Sequence, residues 1–233
     1  MKFRVAEEVF DRLPKVCFGV VVAREADNQL HRPEIEQLLA ENVAGVEERL
    51  GGINIKEAPA LVPYREAFRK LGINPNKFPS SIEAMVSRIV KHKGMPRINP
   101  LVDLANALSL KYLLPMGAHD LDSVPGDVVV RFAVTGDRFV PFGQAEAEEV
   151  EPGELIYVVG STVKTRRWIW RQSELGKVTA ASRNIFFPID GFKGQNEEKV
   201  IAARDELAQQ LVRLFGCSVQ VGLVDKDHRE WDL

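Results

Sequence analysis

An α+β fold, a mixed or antiparallel sheet with flanking helices, is what three features of the sequence predict. Apolar residues recur at three- and four-residue steps through the first half of the chain, as on one face of a helix. From Val128 onward the texture changes to short β-branched and aromatic runs separated by Gly, Pro and charged turns, which reads as sheet. Two apolar blocks near opposite ends, VCFGVVVA (Val16–Ala23) and CSVQVGLV (Cys217–Val224), match in character and are expected to pair. No linker divides the 233 residues, so a single unit over 1–233 is expected.

The elements follow in order. The run Val16–Ala23 is a buried strand. Pro33 opens a helix whose Ile35, Leu38, Leu39, Val43, Val46 and Leu50 share a face until Gly51 and Gly52 stop it. A second helix runs from Leu61 to Leu71 and closes at Gly72; Asn74, Pro75 and Asn76 begin a turn-rich connection. Ser80 with Glu83 forms a capping box ahead of a helix over 81–92. Asn99 can accept from first-turn amides while Pro100 supplies a helical φ where no donor is needed, giving a fourth helix its start. The strands VVVRFAV, ELIYVVG, VKTRRWIW and NIFFPID come next, then a helix from about Glu197 to Phe215 and the last strand.

Composition limits the function classes. The amino-terminal MKFRVAEEVFDRLPK carries charges where a signal peptide needs an apolar stretch, and no apolar run approaches the ~20 residues of a membrane span, so a cytoplasmic protein without membrane contact is expected. Cys17 and Cys217 lack partners at metal-ligand spacing, so neither a disulfide framework nor a metal site is indicated, and no motif calls for a cofactor. A formal charge of −2 argues against a protein that grips long nucleic acid. Two windows are nevertheless basic: residues 61–97 hold eight Lys and Arg against two Glu, and 161–193 hold seven against Glu174 and Asp190. They can converge on one anionic partner, or serve as two ordinary solvated faces.

Generic catalytic motifs are missing, which leaves two unusual runs. LPMGAHDLD places His119 beside Asp120, a setting that suits either a structural hydrogen-bonding histidine or a catalyst. In TRRWIWRQSE, strand alternation would put Arg167, Ile169 and Arg171 on one face and Arg166, Trp168 and Trp170 on the other. Aromatic surface paired with cations suits a nucleobase or ribose phosphate, and equally a Trp-rich core edge under Arg stems. Glu174 lies just beyond, a lone carboxylate among cations. Asp103 and Asn106, three apart, share a helix face and can offer an acceptor and an amide to a pocket, or simply bind neighbouring backbone.

In order, RINPLVDLANALSL (Arg97–Leu110), LPMGAHDLD (Leu114–Asp122), Gly153-Glu154 and SRNIFFPIDGF (Ser182–Phe192) resemble the editing domain, the B-three/B-four pair, of the bacterial phenylalanyl-tRNA synthetase beta chain. That family's versions read approximately INNVVDVTN, PLHAFD, and GGE followed by a TxN strand. The resemblance covers roughly residues 60–192, and the chain looks like a freestanding member. Asn106 to Pro115 matches the family interval without a gap, and counting back from Asn184 sets Glu174 opposite the GGE glutamate. Two positions depart: Ala105 stands where the family has Thr, and Gly117 where it has the PLHAFD histidine. His119 lies two residues later and, in an extended segment, projects to the same side as 117.

The resemblance implies hydrolysis of the ester between a wrongly attached amino acid, tyrosine by analogy, and the terminal ribose of tRNA. It implies Glu174 and Asn106 as catalytic residues, with His119 replacing the family histidine that falls on Gly117, and the tRNA acceptor end as partner; the residues read on their own add Asp103, Arg167, Trp168 and Arg171 beside Gly117 as expected substrate-binding residues. The competing expectation is a non-catalytic module that binds an amino acid, a nucleotide or the acceptor end. A third is an interaction protein whose acidic Ala145–Glu154 stretch meets a basic partner.

Overall fold

The computed structural model describes residues 1–123 and 125–233. The chain opens with two elements the sequence reading leaves unassigned, strand β1 (Lys2–Val5) and helix α1 (Glu7–Arg12). A four-stranded antiparallel sheet follows the order β11 (Ser218–Val224), β2 (Val16–Arg24), β10 (Ile185–Phe192), β3 (His119–Asp120). The expected pairing of the two apolar end blocks is present, with Ser218 opposite Arg24 and Val224 opposite Phe18.

The second sheet is mixed. Its order is β12 (Glu230–Asp232), β1, β4 (Val128–Phe132), β7 (Leu155–Val159), β8 (Thr162–Arg166), β5 (Arg138–Phe139), β6 (Glu148–Glu149), with β9 (Arg171–Gln172) also on β8. β1 runs parallel to β4 and β5 parallel to β8; the other pairs are antiparallel. The core lies between the sheets, where the Phe3 ring stands 4.9 Å from Phe186, 5.6 Å from Phe18 and 6.1 Å from Tyr157. Such aromatic clusters bury large apolar areas and add directional ring contacts.

Helices cover what remains. α2 (Pro33–Leu50) has the expected start and end, and it packs with α4 (Ser81–Val90) and α5 (Pro100–Tyr112) around Leu39, Val46, Ile82, Val86 and Leu110. Asn99 caps α5 as predicted, accepting from the Val102 amide at 3.1 Å. Only half of the predicted capping box forms: Ser80 Oγ accepts from Glu83 N at 3.4 Å, while the Glu83 carboxylate turns to Arg65 of α3 (Val62–Lys70) in a buried ion pair.

α6 (Glu197–Phe215) lies on the outer face of the four-stranded sheet, which explains why β2 and β10 are apolar on both faces. Its close approach depends on missing side chains: a Cβ on Gly191 would collide with Val200 and come within 2.9 Å of Asn196 Oδ1. Gly191→Ala is therefore expected to cost about 1–3 kcal/mol by overpacking, read as a lower urea midpoint at unchanged m-value.

One predicted strand is wrong in its second half. β8 ends at Arg166, and residues 167–170 form a turn, with Arg167 and Trp168 at φ 46° and 60°. A left-handed backbone costs a non-glycine residue about 1–2 kcal/mol. Here it swings the Trp168 indole into the core, and the carboxylate of Glu154 holds the turn by accepting from Arg166 Nε at 2.9 Å and from Arg167 N at 3.1 Å. The alternation expected of 166–171 is lost with the strand.

Among the described residues no helix is long and apolar enough to cross a membrane, and no three His, Cys, Asp or Glu side chains gather as a metal site would require.

Candidate functional site

A hollow with a cavity volume of about 80 Å³ opens where the turn 167–170 meets the segment Pro115–Gly117 and the Pro188–Asp190 stretch of β10. Backbone hydrogen bonds fix that wall: Gly117 N donates to Pro188 O at 2.9 Å and Asp190 N to Pro115 O at 3.1 Å. Tyr157, Trp168, Ile169, Trp170, Met116 and Pro188 supply apolar surface. The polar groups are few, as in most ligand pockets.

His119 is the first of them. β3 pairs it with Phe186, and its ring stacks 5.7 Å from Tyr157 and 6.0 Å from Phe186. Burial, with a smaller push from Lys164, drives its pKa down to about 3, so it is a neutral imidazole at physiological pH. Nδ1 is sealed without a hydrogen-bond partner, and Nε2 lies 3.1 Å from the point where a Gly117 Cβ would sit. The imidazole thus reaches the space that a side chain at 117 would enter. Lys164, itself buried and lowered to about 8, presses against Gly176, whose φ of 79° and missing Cβ admit the ammonium group.

Asp190 is the second. Only 2% exposed, it accepts from Trp168 Nε1 at 2.6 Å and Tyr157 Oη at 2.7 Å, and both donors use Oδ1. Burial outweighs these donors and pushes the carboxyl up to about 7. Tyr64 braces the backbone behind it, donating to Asp190 O at 2.8 Å.

One cation, Arg171, lines the hollow, and Arg167 and Lys77 stand against the Phe78–Trp170 pair beside it. The two basic windows do meet here: Phe78 stands edge-on to Trp170 at 4.9 Å, and Ser81 N donates to Ile169 O. The Arg167 guanidinium lies 4.0 Å from the Phe78 ring and pairs with Glu154, Lys77 Nζ lies 5.1 Å from Phe78, and exposed Arg171 lies 5.9 Å from Trp170. Several other cations of the windows are paired, Arg65 with Glu83, Arg97 with Glu36 and Asp103, Arg166 with Glu154, Lys177 with Glu174 and Lys193 with Asp225.

Of the residues expected at a site, Gly117, His119, Trp168 and Arg171 line this hollow together. Arg167 stands beside its rim without lining it. Glu174 does not reach it, because its carboxylate is held by Lys177 and by the Gly143 amide at 3.0 Å, contacts that keep it below the usual carboxylate range. Asn106 is half-buried on α5 and lines no part of it. Asp103 caps its own approach loop, accepting from Ile98 N and Arg97 Nε at 2.9 Å each, and borders a different depression beside His31 and Arg32. The imidazole, amide and carboxylate expected around one hollow are therefore represented there by the imidazole alone, and Asp190 supplies the carboxyl. Sequence reasoning passed over Asp190 and Tyr157, although a single carboxylate inside the otherwise apolar IFFPIDGF was the signal.

Two phenylalanine-tRNA ligase beta subunits match: that of Yersinia pestis is 31% identical over 123 residues, and that of Vibrio parahaemolyticus 30% over 135. The aligned parts cover 52% and 57% of this chain but only 15% and 16% of those relatives. Among solved structures, an N-terminal fragment of the Pyrococcus horikoshii phenylalanyl-tRNA synthetase beta subunit aligns at TM-score 0.49 and 13% identity, covering 92% of this chain and 49% of that one. The model of the B3/4 domain matches residues 63–216, which covers all but the first three residues of the expected stretch and extends through α6. The chain belongs to the B3/4 domain family, the module found within the phenylalanyl-tRNA synthetase beta chain.

Proposed function

We propose that this domain hydrolyses mischarged aminoacyl-tRNA in trans, cleaving the ester that joins an amino acid to the terminal ribose. The observation that carries this reading is the polarity of one hollow: a neutral imidazole and a buried carboxyl inside, aromatic walls, Arg171 in the lining, and Arg167 and Lys77 against the neighbouring Phe78 ring. Such an arrangement fits an aminoacyl group inside and acceptor-end phosphates outside.

An aminoacyl ester is labile, so a positioned water contributes much of the required acceleration. His119 is too weakly basic to take a full proton at neutral pH, and its role here is to hydrogen-bond and orient the water or the ester carbonyl. Gly117 keeps the approach to it open. Glu174 and Asn106, outside the hollow, act less directly in this reading. Purified protein incubated with tyrosyl-tRNA and a panel of other mis-acylated tRNAs is expected to release amino acid, and His119→Ala to slow release about 10- to 100-fold while Glu174→Gln slows it less. Binding of tRNA is expected to weaken as salt rises. Release no faster than in buffer across the panel would remove the reading.

The low basicity of His119, together with Ala105 and Gly117 at the family's Thr and His positions, favours a second reading: a pocket that binds an aminoacyl group or amino acid without turnover. Ligand stabilisation in a thermal melt without ester loss would select it.

A further inference from the structure

Both donors to the Asp190 carboxyl converge on Oδ1, and no hydrogen bond among the described residues reaches Oδ2. Oδ2 is nevertheless not one of the sealed, partnerless atoms, a class that includes His119 Nδ1 and Lys164 Nζ; since Asp190 lines the hollow, this oxygen borders its open space. No cation among the described residues pairs with the carboxyl either. A buried carboxylate without a countercharge is costly, and a ligand that brings the charge recovers that cost. The surrounding surface suits a cation as well, because Tyr157, Trp168 and Trp170 present π-faces or edges to the same space. The exposed Arg171 of the lining, with Arg167 beside the rim, favours an anionic group on the far end of the occupant.

We propose that Asp190 Oδ2 is the receptor for a primary ammonium group, so that the hollow takes an amino acid moiety amine-first with its carboxyl-derived end toward the rim. This deepens the aminoacyl reading above and rests on it for the identity of the substrate, though not for any hydrolysis. Asp190 becomes a specificity residue: acyl groups that lack an amine are rejected because they leave the carboxylate unpaired.

Groups facing Asp190 leave its titration distinct. Tyr157 from β7 and Tyr64 from α3 are raised well above the usual phenol range, the Cys17 thiol of β2 is pushed up to about 12, and His119 of β3 falls to about 3. Lys164 of β8 changes charge only near 8. Between pH 5.5 and 7.5 Asp190 is the group in this shell that ionises, with its midpoint near 7.

The test uses the unmodified protein and calorimetric titration with L-phenylalaninol, L-tyrosinol and L-alaninol, whose amines stay protonated over this range, against the same alcohols without the amine. At least one amino alcohol is expected to bind, about tenfold or more tighter at pH 7.5 than at 5.5, while its amine-free counterpart loses at least about tenfold in affinity and the pH dependence with it. Asp190→Asn, checked by its melting transition, is expected to remove the discrimination. Equal affinity for amine and amine-free probes, tighter binding at the lower pH, or no binding by any probe would overturn the proposal. Amine-selective binding by a protein that releases nothing from charged tRNA would keep it and remove the hydrolase reading.

Discussion

Trp168→Ala is expected to lower folding stability by about 3–5 kcal/mol, among the largest effects available to a single substitution in this chain. The indole is fully buried, 6.1 Å from Phe68, 5.9 Å from Phe192 and 6.4 Å from Tyr64 between ring centres. Its removal opens a cavity and deprives Asp190 of one of two donors, so the transfer and hydrogen-bond losses add. The left-handed φ at 168 would then persist without the contact that repays it. Trp168→Phe keeps a six-membered ring in the site while losing the pyrrole ring and its N–H, so a smaller loss of about 1–3 kcal/mol is expected. Urea unfolding of both variants measures this, and an alanine variant within 1 kcal/mol of the parent would show that the site collapses around the missing ring.

Histidine 119 and aspartate 190 are expected to give stability profiles of opposite slope once either is removed. The folded protein holds His119 near 3 against an ordinary value of 6.5, so the unfolded chain takes that proton first, and the associated stability, full above 6.5, is lost as pH falls toward 3. Asp190 is the reverse: near 7 when folded against 3.8, it is protonated first in the folded state, and its contribution, full below 3.8, is lost as pH rises toward 7. Across pH 4 to 6.5 each slope reaches about 1.4 kcal/mol per pH unit, and in the parent protein they largely cancel. His119→Phe, which keeps an aromatic ring beside Tyr157 and Phe186, leaves the Asp190 slope exposed: stability falls by about 3 kcal/mol from pH 4 to 7 relative to the parent. Asp190→Asn tilts the other way. Urea midpoints at pH 4.5, 5.5 and 6.5 decide the matter, and parallel profiles for the three proteins would refute the opposed titrations.

How much of this was legible in the sequence depended on whether a signal was local. Pro33 and Gly51, Asn99 and Pro100, and the apolar spacing of α6 act within one or two helical turns, and those helices lie where they were expected. The pairing of β2 with β11 was readable because both strands carry the β-branched character of a shared sheet. Strands β1 and β12 were not, since each is short and takes its stability from a partner at the other end of the chain. The turn at 167–170 was misread for a related reason: two residues held at positive φ by Glu154 and by the fit of an indole leave no trace in an Arg-Trp alternation. The hollow likewise depends on register. Motif spacing located Gly117 and His119 but said nothing of Asp190, which reaches the same space only because β10 runs antiparallel to the chain at Met116.

The two chain ends sit side by side, Lys2 opposite Asp232, with the Leu233 amide donating to the Met1 carbonyl at 2.9 Å. A tension applied between them acts across the β1–β12 ladder at one end, so its hydrogen bonds open singly in sequence instead of sharing the load as they would in shear. The molecule would peel from its outermost strand at modest force, while the antiparallel sheet beneath α6 remained closed until the peeling reached β1 and the Phe3 ring that plugs the interior.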